Sequence, residues 1–169
     1  KDANRVLAEK VRRTEPDPNS GIERHVDLGF VGEPVAVDPT ILVNLTKDNF
    51  IPIVAPVALG ADGATYNINA DTMAGAIAGA LGGERFFRLT DVAGVLDKAG
   101  ALLTDLDQTA IEALKDDGTI TGGMIPKVET CVAAVDAGVE AAVILDGRVP
   151  HAMLLEIFTA RGAGTLIHR

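Results

Sequence analysis

Three stretches of this sequence place side chains that could do chemistry. In TYNINADTMAGAIAGALGGE (65–84), Asn67, Asn69 and Asp71 alternate at the mouth of a run that is otherwise small or apolar. With Asn69 as a helix cap, Asp71 falls in the first turn, where unsatisfied backbone N–H groups and the helix dipole favour a negative charge. A carboxylate held there stays ionised, which suits it to organise cationic side chains and makes it a poor general base. The plain alternative is an ordinary helix-starting Asp.

The second stretch is TITGGMIPK (119–127). Gly122 and Gly123 let backbone approach a ligand closely, Pro126 pre-sets a helix start, and Lys127 one residue inside adds a positive charge to a donor-rich helix end. This is an anion cradle in outline, without the GxxxxGK[ST] spacing of a Walker A loop. A glycine turn with a solvated lysine is the alternative. The third stretch, TDVAGVLD (90–97), offers a hydroxyl, two carboxylates and Gly94, suited to lining a nucleotide pocket through backbone groups. His25, His151 and His168 lack metal-ligand spacing, so the sequence predicts no metal ligands, and no nucleophile elbow or Ser-His-Asp pattern appears.

These stretches need strands and helices to hold them. Short extended pieces broken at Gly29, Gly32 and Pro34 are predicted first, then a helix opening at Asp38-Pro39 through about Leu45. IPIVAPV (51–57) reads as a strand covered on both faces, against which Pro52 and Pro56 speak. Asp62-Gly63 signals a hairpin, followed by a helix from Asn69 to near Gly82-Gly83. RFFRLT (85–90), EAAVIL (140–145) and GTLIH (164–168) read as strands. Lys98-Ala99-Gly100 suggests a small hairpin, Asp107 to Lys115 a helix stopped by Gly118, the stretch after GGMIP a helix to Ala137-Gly138, and HAMLLEIFTA (151–160) the last helix. This alternation predicts an α/β fold, an open and mainly parallel sheet sandwiched by helices, in a single domain over 1–169. In such sheets ligands bind beyond the carboxyl ends of the strands.

Composition sets limits. The chain of 169 residues is 47% hydrophobic with 18 Gly and no Trp, so its core is built from Val, Ile, Leu and Ala. Fifteen Lys and Arg against 24 Asp and Glu leave a formal charge of −9, which argues against a nucleic-acid partner. Apolar runs stop short of a membrane span, no signal peptide is visible, and the single Cys131 fits a reducing compartment, so a cytoplasmic protein is expected. The chain opens on Lys1 with no clear start of a fold, which suggests a natural start upstream.

NINADTMAGAIA, LTDVAGVLD, TGGMIPKVETC, ILDGRVPHAMLLEIFTARGAGT and VDLGFVGE together resemble the acetylglutamate kinases of the amino acid kinase family, in the right order over nearly the whole chain. The resemblance implies the carboxyl-terminal, nucleotide-binding half of that fold, with the amino-terminal acetylglutamate-binding half missing from the chain. It implies ATP and Mg²⁺ as cofactors and phosphorylation of the side-chain carboxylate of N-acetyl-L-glutamate in arginine biosynthesis. It implies that Asn67 contacts acetylglutamate beside Asn69, and that Asp71 orients two catalytic lysines, one of them Lys127. Thr90, Asp91, Val92, Ala93, Gly94 and Val95, with Thr119, Ile120, Thr121, Gly122 and Gly123, would lie against the nucleotide. Glu156, Gly162 and Gly164 would hold arginine as feedback inhibitor, in a homo-oligomer that is a hexamer or a dimer. Kinases of aspartate, glutamate or UMP from the same family, or a non-catalytic nucleotide-binding module, are the competing readings.

Overall fold

A computed structural model of the chain describes residues 6–16, 23–159 and 162–169. The α/β class holds. Where the sequence suggests a single unit, the chain packs as two compact ones, Lys1–Ile77 and Ala78–Arg169. Each has its own apolar cluster. Val6, Ala8, Ala58, Tyr66, Ile68 and Met73 form one, and a larger set around Val128, Val135, Ile144 and Ile167 forms the other.

Unit 1 contains β1 (Val6–Lys10), β2 (Arg13–Pro16), β3 (Glu23–Val26), β4 (Val31–Val37), α1 (Thr40–Lys47), β5 (Val57–Gly60), β6 (Thr65–Ile68) and the first part of α2 (Ala70–Leu81). Strands β1, β4, β6 and β5 close into a barrel, and β2 and β3 pair as a separate antiparallel ribbon. Two expectations are corrected here. Strand β4 runs unbroken through Gly32 and Pro34. Pro34 sits opposite Ala8 where the register with β1 slips, so its missing N–H costs no ladder bond, and a Cβ on Gly32 would stand 2.7 Å from the Tyr66 Cβ.

The second correction concerns residues 51–56, which form no strand. Ile51 and Ile53 are 91% and 97% exposed, and pairing begins only at Val57, after Pro52 and Pro56 have removed two donors from the run. The Asp62-Gly63 turn forms as read: β5 and β6 pair antiparallel, with Gly63 at φ 82°. Strands β1 and β2 lie in a stretch whose sequence shows no clear fold start.

Unit 2 continues with β7 (Arg85–Thr90), β8 (Asp105–Asp107), α3 (Gln108–Asp116), α4 (Met124–Asp136), β9 (Ala141–Asp146), α5 (Ala152–Phe158) and β10 (Thr165–His168). The sheet order is β7-β9-β10-β8. β7 is parallel to β9 and β10 to β8, while β9 and β10 are antiparallel. β9 lies between two neighbours and is buried along Ala141–Leu145, which explains its continuous apolar sequence. Asp107 caps α3 by accepting the Ala110 N–H at 2.7 Å. Helix α4 starts two residues earlier than Pro126 suggests; a proline in the first turn loses no intrahelical bond, so the helix admits it there.

Candidate functional site

An apolar groove of about 470 Å³ in unit 1, bordered by Ile41, Leu42, Ile53 and Val57, has Asp38 as its one ionisable lining residue. The polar groups singled out by sequence lie elsewhere. In unit 1, β6 alternates so that Tyr66 and Ile68 are buried while Thr65 and Asn67 face outward. Asn67 pairs with Val31 on one side and Val57 on the other, and its N–H donates to the Phe30 carbonyl at 2.8 Å, leaving its amide side chain exposed. Two residues on, Asn69 Oδ1 accepts the N–H groups of Asp71 at 2.9 Å and Thr72 at 3.3 Å. This is the cap expected from the sequence, and it places Asp71 in the first turn of α2.

In unit 2 the carboxyl ends of β7 and β9 gather the charges. Thr90 ends β7, its hydroxyl donates to Asp91 Oδ1 at 3.1 Å, and Lys127 Nζ reaches the same oxygen at 3.1 Å from the first turn of α4. The lysine ammonium beside it, then the Thr90 hydroxyl, holds the Asp91 carboxyl below the usual carboxylate range. Gly122 (φ 53°) and Gly123 lie at the start of α4 with open space where a Cβ would stand. The Met124 and Ile125 N–H groups donate to the Thr121 and Gly122 carbonyls and Pro126 has none, so what this exposed helix start can offer an anion is the N–H groups of Gly122 and Gly123 with the Lys127 ammonium. Thr121 and Ala93 are exposed, and Val92 and Thr119 half-buried.

The remaining nucleotide-loop residues sit deeper. Val95 and Ile120 are in the core, and their backbone N–H groups are taken by Thr165 Oγ1 at 2.8 Å and the Leu114 carbonyl at 2.8 Å. Gly94, at φ 149°, lies against Thr165 and Leu102 so closely that a Cβ would collide with both. Glu156, Gly162 and Gly164 do come together. Glu156 Oε2 accepts the N–H groups of Ala163 at 2.5 Å and Gly164 at 3.2 Å, and Gly162 is so close that a Cβ would lie 2.7 Å from that oxygen.

Two functional candidates escape the sequence reading. Asp146 ends β9 and Arg148 follows it, at the same edge as Asp91. Asp146 Oδ1 accepts the Arg148 N–H and Nε–H, each at 2.9 Å, while Oδ2 accepts from Nη2 at 2.8 Å. That clamp lowers the Asp146 carboxyl to about 2. An Asp-x-Arg spacing straight after a buried strand is the signal that marks them. Among the described residues, no group of three or more His, Cys, Asp or Glu could hold a metal ion. No described helix is long and apolar enough to cross a membrane.

The family model of the amino acid kinase family matches residues 3–146. The chain is 89% identical over 169 residues to an acetylglutamate kinase of Sphingopyxis alaskensis, covering 100% of this chain and 56% of that protein. To the acetylglutamate kinase of Erythrobacter litoralis it is 68% identical, covering 99% of this chain and 56% of the relative. The chain thus spans little more than half the length of these relatives. Among solved structures, N-acetylglutamate synthase from Neisseria gonorrhoeae complexed with coenzyme A and L-arginine superposes with TM-score 0.82 at 23% identity, over 98% of this chain and 37% of that one. Carbamate kinase from Giardia lamblia bound to AMP-PNP superposes with TM-score 0.59 at 20% identity, over 94% and 52%. At these identities the two structures bear on the fold alone.

Proposed function

Because the chain belongs to the amino acid kinase family, we propose that it is the nucleotide-side portion of an acetylglutamate kinase. The observation that carries this reading is Lys127, half-buried at the open Gly122-Gly123 end of α4 and joined to Asp91 at the carboxyl edge of the sheet. The relatives' high identity supports the choice of substrate. In the complete protein, a side-chain carboxylate oxygen of N-acetyl-L-glutamate attacks the γ-phosphorus of ATP. The bond to the bridging oxygen breaks, ADP leaves, and an acyl phosphate forms. The nucleophile is already an anion, so no general base is required, and the work is alignment and charge neutralisation.

Residues fit these roles as follows. Backbone N–H groups around Gly122 and Gly123, with Lys127, would hold phosphate oxygens, and the 90–95 loop would border the nucleotide. Asp91 and Asp146 are each committed to a cation and form no cage, so Mg²⁺ would ride on the phosphates. When bound, it supplies further charge neutralisation. Asn67, exposed on β6, would bind acetylglutamate with Asn69 nearby, and Asp71, in the first turn of α2, would organise cationic side chains. The exposed apolar side chains of α5, Met153, Leu154, Ile157 and Phe158, support a homo-oligomer. The single Cys131, buried, suits the cytoplasm.

The deciding assay measures ADP release by a full-length protein carrying this sequence, with acetylglutamate, glutamate, aspartate and UMP as acceptors. Turnover with acetylglutamate alone is expected; turnover with another acceptor in its place ends this reading. Binding of Mg·ATP without turnover of any acceptor would leave a nucleotide-binding module. Arginine as feedback inhibitor is a second reading, favoured by the contact of Glu156 with the Gly162–Gly164 loop. There Glu156→Gln, whose amide oxygen can still accept the loop N–H groups, should abolish inhibition while retaining turnover, because only the charge that pairs a guanidinium is lost.

A further inference from the structure

Arg148 has no role in the reading so far, yet with Asp146 it stands at its edge. β7 and β9 run parallel with Thr90 opposite Asp146, and the Gly147 N–H donates to the Thr90 carbonyl at 2.8 Å. The residues just beyond this pair, Asp91 and Arg148, therefore leave adjacent strands side by side. Four charges of alternating sign gather there, and the two ion pairs are built in opposite senses. In one, the cation is sheltered and the anion open, Lys127 being 20% and Asp91 77% exposed. In the other, the anion is sheltered and the cation open, Asp146 being 15% and Arg148 69% exposed.

The Asp146 clamp fixes the plane of the guanidinium using two of its five N–H donors, so three more are presented by a group that has already lost its freedom. Asp91 is also among the charges that favour protonated Arg148. We propose that Arg148 is a positioning residue which takes over Asp91 when Lys127 leaves that carboxylate for a phosphate oxygen. This inference rests on the nucleotide reading. Its physical reason is that Lys127 cannot serve two anions at full strength. Once it turns to a phosphate, Asp91 is left as an unpaired negative charge beside a polyanion, and repulsion would weaken binding. A cation held ready on the neighbouring strand removes that penalty with little ordering cost.

The test uses a full-length protein carrying this sequence, with carboxyl NMR of Asp91 in wild type, Lys127→Ala, Arg148→Ala and the double variant, followed by titration with Mg·ATP at millimolar concentration. In Lys127→Ala, where the Thr90 hydroxyl still helps to hold the Asp91 carboxyl low, adding Arg148→Ala should raise the Asp91 titration further. Arg148→Ala should weaken Mg·ATP about threefold, Arg148→Lys should recover part of the loss, and in an Asp91→Asn background Arg148→Ala should have no effect. Identical Asp91 titrations in Lys127→Ala and the double variant overturn the partner exchange, as does an Arg148 effect that persists without Asp91. If the Asp91 titrations behave as stated but wild type binds no Mg·ATP, the exchange stands and the nucleotide reading falls.

Discussion

The Thr165 hydroxyl accepts the Val95 N–H at 2.8 Å across 70 residues of sequence, tying the loop after β7 to the start of β10. The same hydroxyl donates to the Leu103 carbonyl at 2.6 Å, and Thr165 is fully buried. Thr165→Val preserves shape but leaves a buried donor and a buried acceptor unpaired, at a cost of about 2–3 kcal/mol. Urea unfolding should show the midpoint falling without a change in slope, and Thr165→Ser should restore most of it.

Two glycines of unit 2 should respond oppositely to alanine. At Gly164 a Cβ would collide with the Ile144 carbonyl in the central strand, where rigid backbone cannot give way. Gly164→Ala should lower Tm by roughly 5 °C or more. At Gly123 a Cβ meets open space with φ −68°, so Gly123→Ala should leave Tm unchanged while weakening Mg·ATP binding, if backbone approach to phosphate is its use. Thermal unfolding beside a nucleotide titration separates the two effects.

Local features were legible in the sequence because a few neighbouring residues decide them. The Asn69 cap and the Asp62-Gly63 turn each depend on groups within four positions, and both form. The 51–57 run was misread because apolar content describes what a segment favours, whereas Pro52 and Pro56 decide what its backbone can pair with. The role of Thr165 was invisible, since its partners lie 62 and 70 residues away. Asp91 and Lys127 were each singled out, yet their contact, 36 residues apart, needed the β7 edge and the α4 start to be brought together. Asp146 and Arg148 are near neighbours in sequence, but their place beside Asp91 depends on the parallel pairing of β7 with β9.

The Asp146 clamp has a pH signature. Its carboxyl falls from an ordinary 3.8 to about 2, chiefly through its hydrogen bonds with the Arg148 side chain and then the Arg148 N–H. A depressed folded value means the contribution to stability is complete above the unfolded value, declines as pH falls below it, and is gone once pH passes the folded value. Between roughly pH 4 and 2, stability should therefore fall with a component that Arg148→Ala reduces. Acid unfolding followed by circular dichroism, alongside carboxyl NMR of Asp146, tests this; equal acid sensitivity in wild type and Arg148→Ala would remove the clamp as its source.

Lys127 is the residue on which the proposed chemistry turns. Its side chain is half-buried, its ammonium is paired with Asp91, and it lies in the first turn of α4, whose dipole favours anions. Negative charge on the β–γ bridging oxygen grows as that bond breaks, and a lysine there stabilises the transition state more than bound ATP. Lys127→Met in a full-length, active protein should lower kcat by about a hundredfold or more, with little change in the acetylglutamate KM. Asn67→Ala should do the reverse, raising that KM with a smaller change in kcat, because the role proposed for this exposed amide on β6 is to bind the acceptor. Steady-state kinetics on the two variants distinguishes the roles: near-normal kcat in Lys127→Met would place the transferring phosphoryl group away from the start of α4.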